Sequence, residues 1–268
     1  MNSIAIFVCV LIAVSPSGLA GSLPQATPPK GAIVSSAPAS EITPPPPGYR
    51  FPNGQTFVYS VEWHFFTAGT TSVKTEPAGG AQQVSATADS SGWVNALYSV
   101  HDRAQALVDP RSLCSQRVSK HTEEGSRRRE TEIHFDYPRG KAVLDEKNLK
   151  TGELKHEEND IPECVTDVFS GFYYLASLPL QPGSTYTFPT NDGGKTADIK
   201  AQVEAREQIK VPAGTFQTVR VQAEPISGAL KGRGRIWVWF SDDNHIAVQM
   251  RSKLGWGTLV FKLQKIEK

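Results

Sequence analysis

The stretch that decides the fold is residues 208–221, "QIKVPAGTFQTVRV", two apolar-and-polar runs joined by Pro212, Ala213 and Gly214. Ile209 and Val211 precede the joint; Phe216, Val219 and Val221 follow it. Proline has no N–H to give to a ladder, so Pro212 stands where pairing must stop, and Gly214 supplies the backbone freedom of a tight reversal. Only Thr215 could act chemically, and no base stands beside it. The segment therefore reads as the elbow of a β-hairpin, and it sets the register of the strands it joins.

The same pattern runs outward in both directions. In "QTFVYSVEWHFF" (55–66), Phe57, Tyr59, Val61, Trp63 and Phe65 recur at spacing two, which puts all five on one buried face of a strand. "SQRVSKHT" and "RETEIHFD" flank the turn Glu124-Gly125-Ser126, and "KAVLDEK" returns after Pro138-Arg139-Gly140. From Thr185 the strands lengthen, ending in "RIWVWF", "IAVQMRSKL" and "GTLVFKLQKIE". Two segments depart from this pattern. "GWVNALYSV" (92–100) fits a short helix or a twisted strand equally well. In "VTDVFSGFYYLAS", Val165, Val168, Phe169, Phe172, Leu175 and Ala176 recur at three and four, predicting a helix over 165–177 with Thr166 or Asp167 as its N-cap and Pro179 limiting its far end.

The first twenty residues hold an apolar run of 11, Ile4 to Val14, then small residues up to Ala20. This reads as a secretory signal peptide over 1–20; a membrane-spanning helix needs roughly 20 apolar residues, so no span is expected in the mature chain. Residues 21–52 hold nine of the chain's 19 prolines, including Pro44 to Pro47 in a row. Such a segment buries too little apolar surface to order itself, so 21–50 is expected to be a disordered Pro-rich tether and 51–268 a single domain. The expected location is the periplasm or the secreted medium.

Composition excludes more than it selects. With 28 basic and 27 acidic residues the net charge is +1, which gives no bulk attraction for nucleic acid. Arg127, Arg128 and Arg129 follow "EEGS" and precede "ETEIHFD", the setting of a solvated hairpin shoulder. Six scattered histidines show no HExxH pair or zinc-ligand spacing, and there is no GxSxG, P-loop or dinucleotide fingerprint. No metal, cofactor or catalytic residue is expected. Glu62 and His64 share one face of the first strand, where an exposed pair is usually inert; Asp242, Asp243 and His245 in "SDDNH" read as turn residues. Once Cys9 has left with the leader, Cys114 and Cys164 remain, and in an oxidising compartment an isolated pair reads as a disulfide. Closing that loop of about 50 residues would stabilise the fold by roughly 4 kcal/mol in the chain-entropy model. The alternative, a redox or nucleophilic cysteine, has no CxxC spacing behind it.

Taken in order, "GQTFVYSVEWHFFTAGT" (54–70), "DVFSGFYYLASLPLQPGSTY" (167–186), "VPAGTFQTVRV" (211–221) and "RIWVWFSDDNHIAVQMRSKLGWGTLVFKL" (235–263) resemble the DUF3108 family of exported bacterial proteins. The resemblance spans most of 51–268 and rests on the order of the phrases, because each hairpin phrase alone is common in β proteins. It implies a mainly antiparallel β envelope protein and carries no established activity or catalytic residue. The cysteine pair is not part of the resemblance.

The expected fold is mainly β: an antiparallel meander of ten to twelve strands, curved into an open barrel or half-barrel, with one packed α-helix. One strand resists simple packing. In "RIWVWF", Ile236, Val238 and Phe240 take one face and Trp237 and Trp239 the other, so both faces need apolar neighbours. One neighbour is the core; the other is the helix or a cavity wall. A sheet wrapping that helix could hold a hydrophobic, lipid-like ligand lined by Trp63, Phe65, Phe172, Tyr173, Trp237 and Trp239. The bland alternative is that these aromatics are simply core. A second class of function is a structural or assembly role, with an envelope protein partner contacting exposed sheet edges and the tether.

Overall fold

The computed structural model of the chain describes residues 40–63, 66–228, 231–232, 234–254 and 257–268. The expected leader 1–20, the tether as far as residue 39, and both His64 and Phe65 lie outside the described residues. The elements are β1 (Thr56–Trp63), β2 (Phe66–Ala78), β3 (Ala81–Ser90), α1 (Gly92–Leu97), β4 (His101–Val108), β5 (Ser115–Glu124), β6 (Arg127–Asp136), β7 (Lys141–Asn148) and β8 (Leu154–Asp160). There follow α2 (Val168–Ser177), β9 (Thr185–Asp192), β10 (Lys195–Val211), β11 (Gly214–Pro225), β12 (Arg235–Ser241), β13 (Ala247–Leu254) and β14 (Gly257–Glu267).

All the strands lie in one antiparallel sheet, ordered β8-β7-β6-β5-β4-β3-β2-β1-β14-β13-β12-β11-β10-β9. Chain neighbours pair throughout except β8 and β9, and the circuit is joined by β1 against β14, from Thr56↔Glu267 to Trp63↔Leu259. The decisive hairpin is as read: β10 and β11 pair from Ile199↔Pro225 to Val211↔Gly214 around Pro212 and Ala213. Gly214 there has φ +141°, a conformation that side chains with a Cβ rarely adopt. The hairpin tip folds across the sheet, where Ala213 N donates to Leu263 O at 3.0 Å.

The sheet rolls up without closing. Its edges, β8 and β9, share no ladder but meet through side chains: Asn191 Nδ2 of β9 donates to Asn159 Oδ1 of β8 at 3.3 Å, and Asn159 Nδ2 donates to Thr196 Oγ1 at the start of β10 at 2.9 Å. Across the interior, Lys120 of β5 meets Asp192 of β9 at 2.6 Å, the carboxylate being 2 % exposed. This is the expected open barrel. The strand count rises from the expected ten to twelve to fourteen, chiefly because β8, "LKHEEND", has no apolar alternation to betray it.

Two helices stand where one was expected. The ambiguous segment 92–100 forms α1, which packs against β2. α2 begins at Val168, three residues later than predicted, because Val165 and Thr166 are extended and Thr166 forms a parallel bridge with Thr190 on β9. It ends at Ser177, followed by extended Leu178 before Pro179, as the pre-proline restriction requires. Small side chains on β4, Ala104 and Ala106, make room where α2 approaches, and the helix shares one apolar core with β3 to β7 and β9 to β12.

The ordered domain also begins earlier than residue 51. Ile42 is buried in the core, Tyr49 Oη donates to Tyr173 O at 3.3 Å, and the rings of Phe51 and Tyr173 lie 5.2 Å apart. A proline tract has few N–H groups to satisfy, so it can lie extended over the domain, pinned by the few apolar side chains it carries.

Candidate functional site

The N-terminus of α2 is held by a buried polar node. Asp167, the N-cap, accepts from Phe169 N at 2.6 Å and Ser170 N at 3.2 Å, while Ser170 Oγ accepts from Asp167 N at 2.8 Å. Ser115 of β5 adds a donor, its Oγ giving to Asp167 Oδ2 at 2.6 Å. Burial pushes the Asp167 carboxyl above the ordinary aspartate range, against these hydrogen bonds, which favour its charged form. Beside the node, the Cys114–Cys164 disulfide joins the start of β5 to the approach to the helix, with Cα atoms 5.2 Å apart. Helix and sheet are thus fixed together at one end, which positions everything α2 carries.

On its other face α2 borders a cavity of about 340 Å³, at the small end of the ~300–1,000 Å³ typical of small-molecule pockets. Val168, Phe172, Tyr173 and Ala176 form its helical wall. Opposite stand Phe57 and Tyr59 of β1, Val73 of β2, Met250 of β13 and Phe261 of β14. Polar groups gather at the rim, where Arg50, Gln55, Asn244 and His245 line the opening and Arg50 and Asn244 are exposed. His245 has φ +53°, and its Nδ1 donates to Ala176 O at 2.7 Å, so the β12–β13 turn is clasped to the end of the helix. A smaller void of about 30 Å³, one water's worth, lies between α2 and β9 to β12; Phe172 lines both spaces.

Of the six aromatic residues nominated from sequence, Phe172 and Tyr173 line the cavity. Trp63 points to the same side of β1 but sits beyond the cavity, next to Trp93 at 6.4 Å, which in turn meets Phe66 edge-on at 5.5 Å. Trp237 and Trp239 face away from it. Their side of β12 meets neither helix nor cavity but a layer of charged side chains: Arg235 stands 5.9 Å over Trp237, Arg251 5.5 Å over Trp239, and Trp239 Nε1 donates to Glu207 Oε1 at 2.9 Å. Guanidinium groups and arginine stems cover indole rings well, which is how a strand apolar on both faces is accommodated at the surface. The inner side chains Ile236, Val238 and Phe240 belong to the core, and Phe240 also reaches the cavity. Phe65 lies outside the described residues. The sequence reading missed Tyr49 and Arg50, hidden in the proline tract, and the turn residues Asn244 and His245.

Three other carboxylates are engaged elsewhere. Glu62 pairs with Lys262 at 2.7 Å, and Asp242 pairs with Arg206. Asp102 accepts from Glu123 N at 2.9 Å, and burial raises its carboxyl above the ordinary range. Among the described residues no group of three or more His, Cys, Asp or Glu side chains is placed to hold a metal ion, and no helix is long and apolar enough to cross a membrane.

Three solved structures resemble the chain. A β-barrel-like protein of the DUF1849 domain from Brucella abortus superposes with a TM-score of 0.58 at 12 % identity, covering 80 % of this chain and 96 % of that one. A candidate exported protein with a YmcC-like fold from Bacteroides fragilis gives 0.32 at 13 % identity over 81 % and 96 % of the two chains. A candidate lipoprotein from Parabacteroides distasonis gives 0.31 at 10 % identity over 80 % and 95 %. The first likeness supports the barrel-like architecture and nothing beyond it. No curated protein matches the chain. A family model does match, over residues 58–264, from early β1 to late β14, and on that match the chain belongs to DUF3108, a family described as a protein of unknown function.

Proposed function

We propose that the protein is a non-catalytic binder or carrier of a hydrophobic, lipid-like molecule, working in the periplasm or the secreted medium. The observation that carries this reading is the cavity beside α2: a space walled by apolar and aromatic side chains, with its polar groups at the rim. A protein with no use for such a space would gain by filling it, since cavity surface costs stability. The disulfide and the leader-like N-terminus support an oxidising location. The alternative, an assembly partner docking along a sheet edge, draws less support. Edge strand β8 carries Lys155, His156, Glu157, Glu158 and Asp160, the charged dressing that discourages pairing, and Thr166 bridges onto edge strand β9.

The test is a titration with diphenylhexatriene, a hydrocarbon dye that fluoresces in apolar surroundings. Saturable binding by the wild type, lost in Ala176→Phe and kept in Trp237→Ala, is the expected result. Binding that survives Ala176→Phe in a folded protein would place the dye elsewhere, and no binding at all would remove the reading.

A further inference from the structure

The cavity has one polar feature that its apolar lining does not require. Three tyrosines line it, Tyr49, Tyr59 and Tyr173. Two have their hydroxyls occupied: Tyr59 Oη donates to Ala247 O at 2.9 Å, and Tyr49 Oη donates to the Tyr173 carbonyl. Tyr173 Oη has no hydrogen-bond partner among the described residues. Tyr173 is half-buried and lines the cavity, and burial, reinforced by the nearby Tyr59 and Tyr49, holds its hydroxyl well above the ordinary tyrosine range. It is therefore a permanent O–H donor in an apolar space. A ligand that displaces water from this space would strand the hydroxyl unless it brought an acceptor, a cost that phenylalanine at the same position would not carry. A ligand bearing an acceptor removes that cost.

Resting on the binding reading above, we infer that Tyr173 selects the ligand: the cavity takes a single-chain amphiphile whose uncharged oxygen, an alcohol or an ester carbonyl, accepts a hydrogen bond from Tyr173 Oη. The volume suits one chain rather than two. The uncharged oxygen follows from the surroundings. The one basic side chain of unconditional charge in the lining is Arg50, at the exposed rim, so a carboxylate drawn in to Tyr173 would be desolvated without a counter-ion. A charged headgroup on the same molecule belongs at the rim.

The experiment displaces bound diphenylhexatriene with decanol and with methyl decanoate, in wild type and Tyr173→Phe. The variant keeps the ring and its packing and removes only the donor. In the variant, both competitors are expected to lose about 3–10-fold in affinity relative to the dye, the worth of one net hydrogen bond. Equal competitor affinities in the two proteins, with the dye still bound, would overturn the role of Tyr173 and leave the binding reading standing. Dye binding absent from the wild type would instead defeat the binding reading itself. Tyr59→Phe is the control: its hydroxyl already has Ala247 O, so its loss shifts competitors and dye alike or not at all, and a selective loss there equal to that of Tyr173→Phe would also overturn the assignment.

Discussion

The two faces of α2 meet opposite kinds of surroundings. Toward β5 and β9 the protein packs against its own side chains: Asp167 has Ser115, Phe169 N and Ser170 N, Lys120 has Asp192 Oδ1, and the Tyr174 ring lies edge-on to Phe188 at 4.9 Å, while Asn191 Oδ1 and Asp192 Oδ2 are buried without a hydrogen-bond partner among the described residues. Toward β1, β2, β13 and β14 it leaves a cavity and, in Tyr173, a hydroxyl with no hydrogen-bond partner among the described residues. Both faces belong to one helix of ten residues, so the contrast is not between an ordered region and a loose one. A rigid mounting on one side holds a space open on the other, and that division is what a binding site on a small scaffold needs.

The contrast can be broken most severely on the packed face. Lys120→Met strands a buried Asp192 carboxylate and should cost about 3–5 kcal/mol in denaturant unfolding, whereas Lys120→Met with Asp192→Leu should recover most of it. A cost below about 1 kcal/mol for the single variant would mean the pair is solvated. Next in size, Asp167→Ala removes the cap and the carboxylate that accepts from Ser115; about 1–2 kcal/mol of stability should be lost, read by the same unfolding curves. On the open face, Ala176→Phe should change stability by less than about 1 kcal/mol because the ring enters existing space, against the ~1–3 kcal/mol typical of overpacking a filled core. A large loss there would show that this face is packed after all.

The smallest effect lies outside both faces and calibrates the others. His121 contacts Glu130 at 2.6 Å and Glu123 at 3.1 Å, and hydrogen bonds to these carboxylates raise its imidazole above the ordinary histidine value of 6.5. Because the folded value is the higher one, its contribution is complete below pH ~6.5 and disappears as pH rises through the folded value. The ring is about one-third exposed, so solvent screening holds the gain under about 0.5 kcal/mol. An NMR titration should find His121 titrating above pH 6.5; a lower value would contradict the contacts.

Much of the architecture was legible in the sequence because it was written in alternation and punctuation. Pro212 and Gly214 marked the hairpin, and the apolar spacing of three and four marked α2. β8 was illegible since charged residues on an exposed edge have no face to hide, and the start of α2 moved because Thr166 found a strand partner that no local pattern announces. The site was half legible. Phe172 and Tyr173 follow from the helix, but Trp237 and Trp239 misled: the arginines covering them come from Arg235 on their own strand and Arg251 across the ladder, and a one-dimensional reading cannot see which side of a sheet will be roofed by charge. The rim escaped because a row of prolines reads as tether, although Ile42 and Tyr49 pin it to the domain.

The most direct measurement of the central claim is mass spectrometry of the organic extract of protein exported to a periplasm and purified without detergent, wild type beside Ala176→Phe. The account predicts a stoichiometric single-chain amphiphile with the wild type and its depletion from the folded variant. A wild type that comes out empty, or the same molecule recovered equally from both proteins, would contradict it.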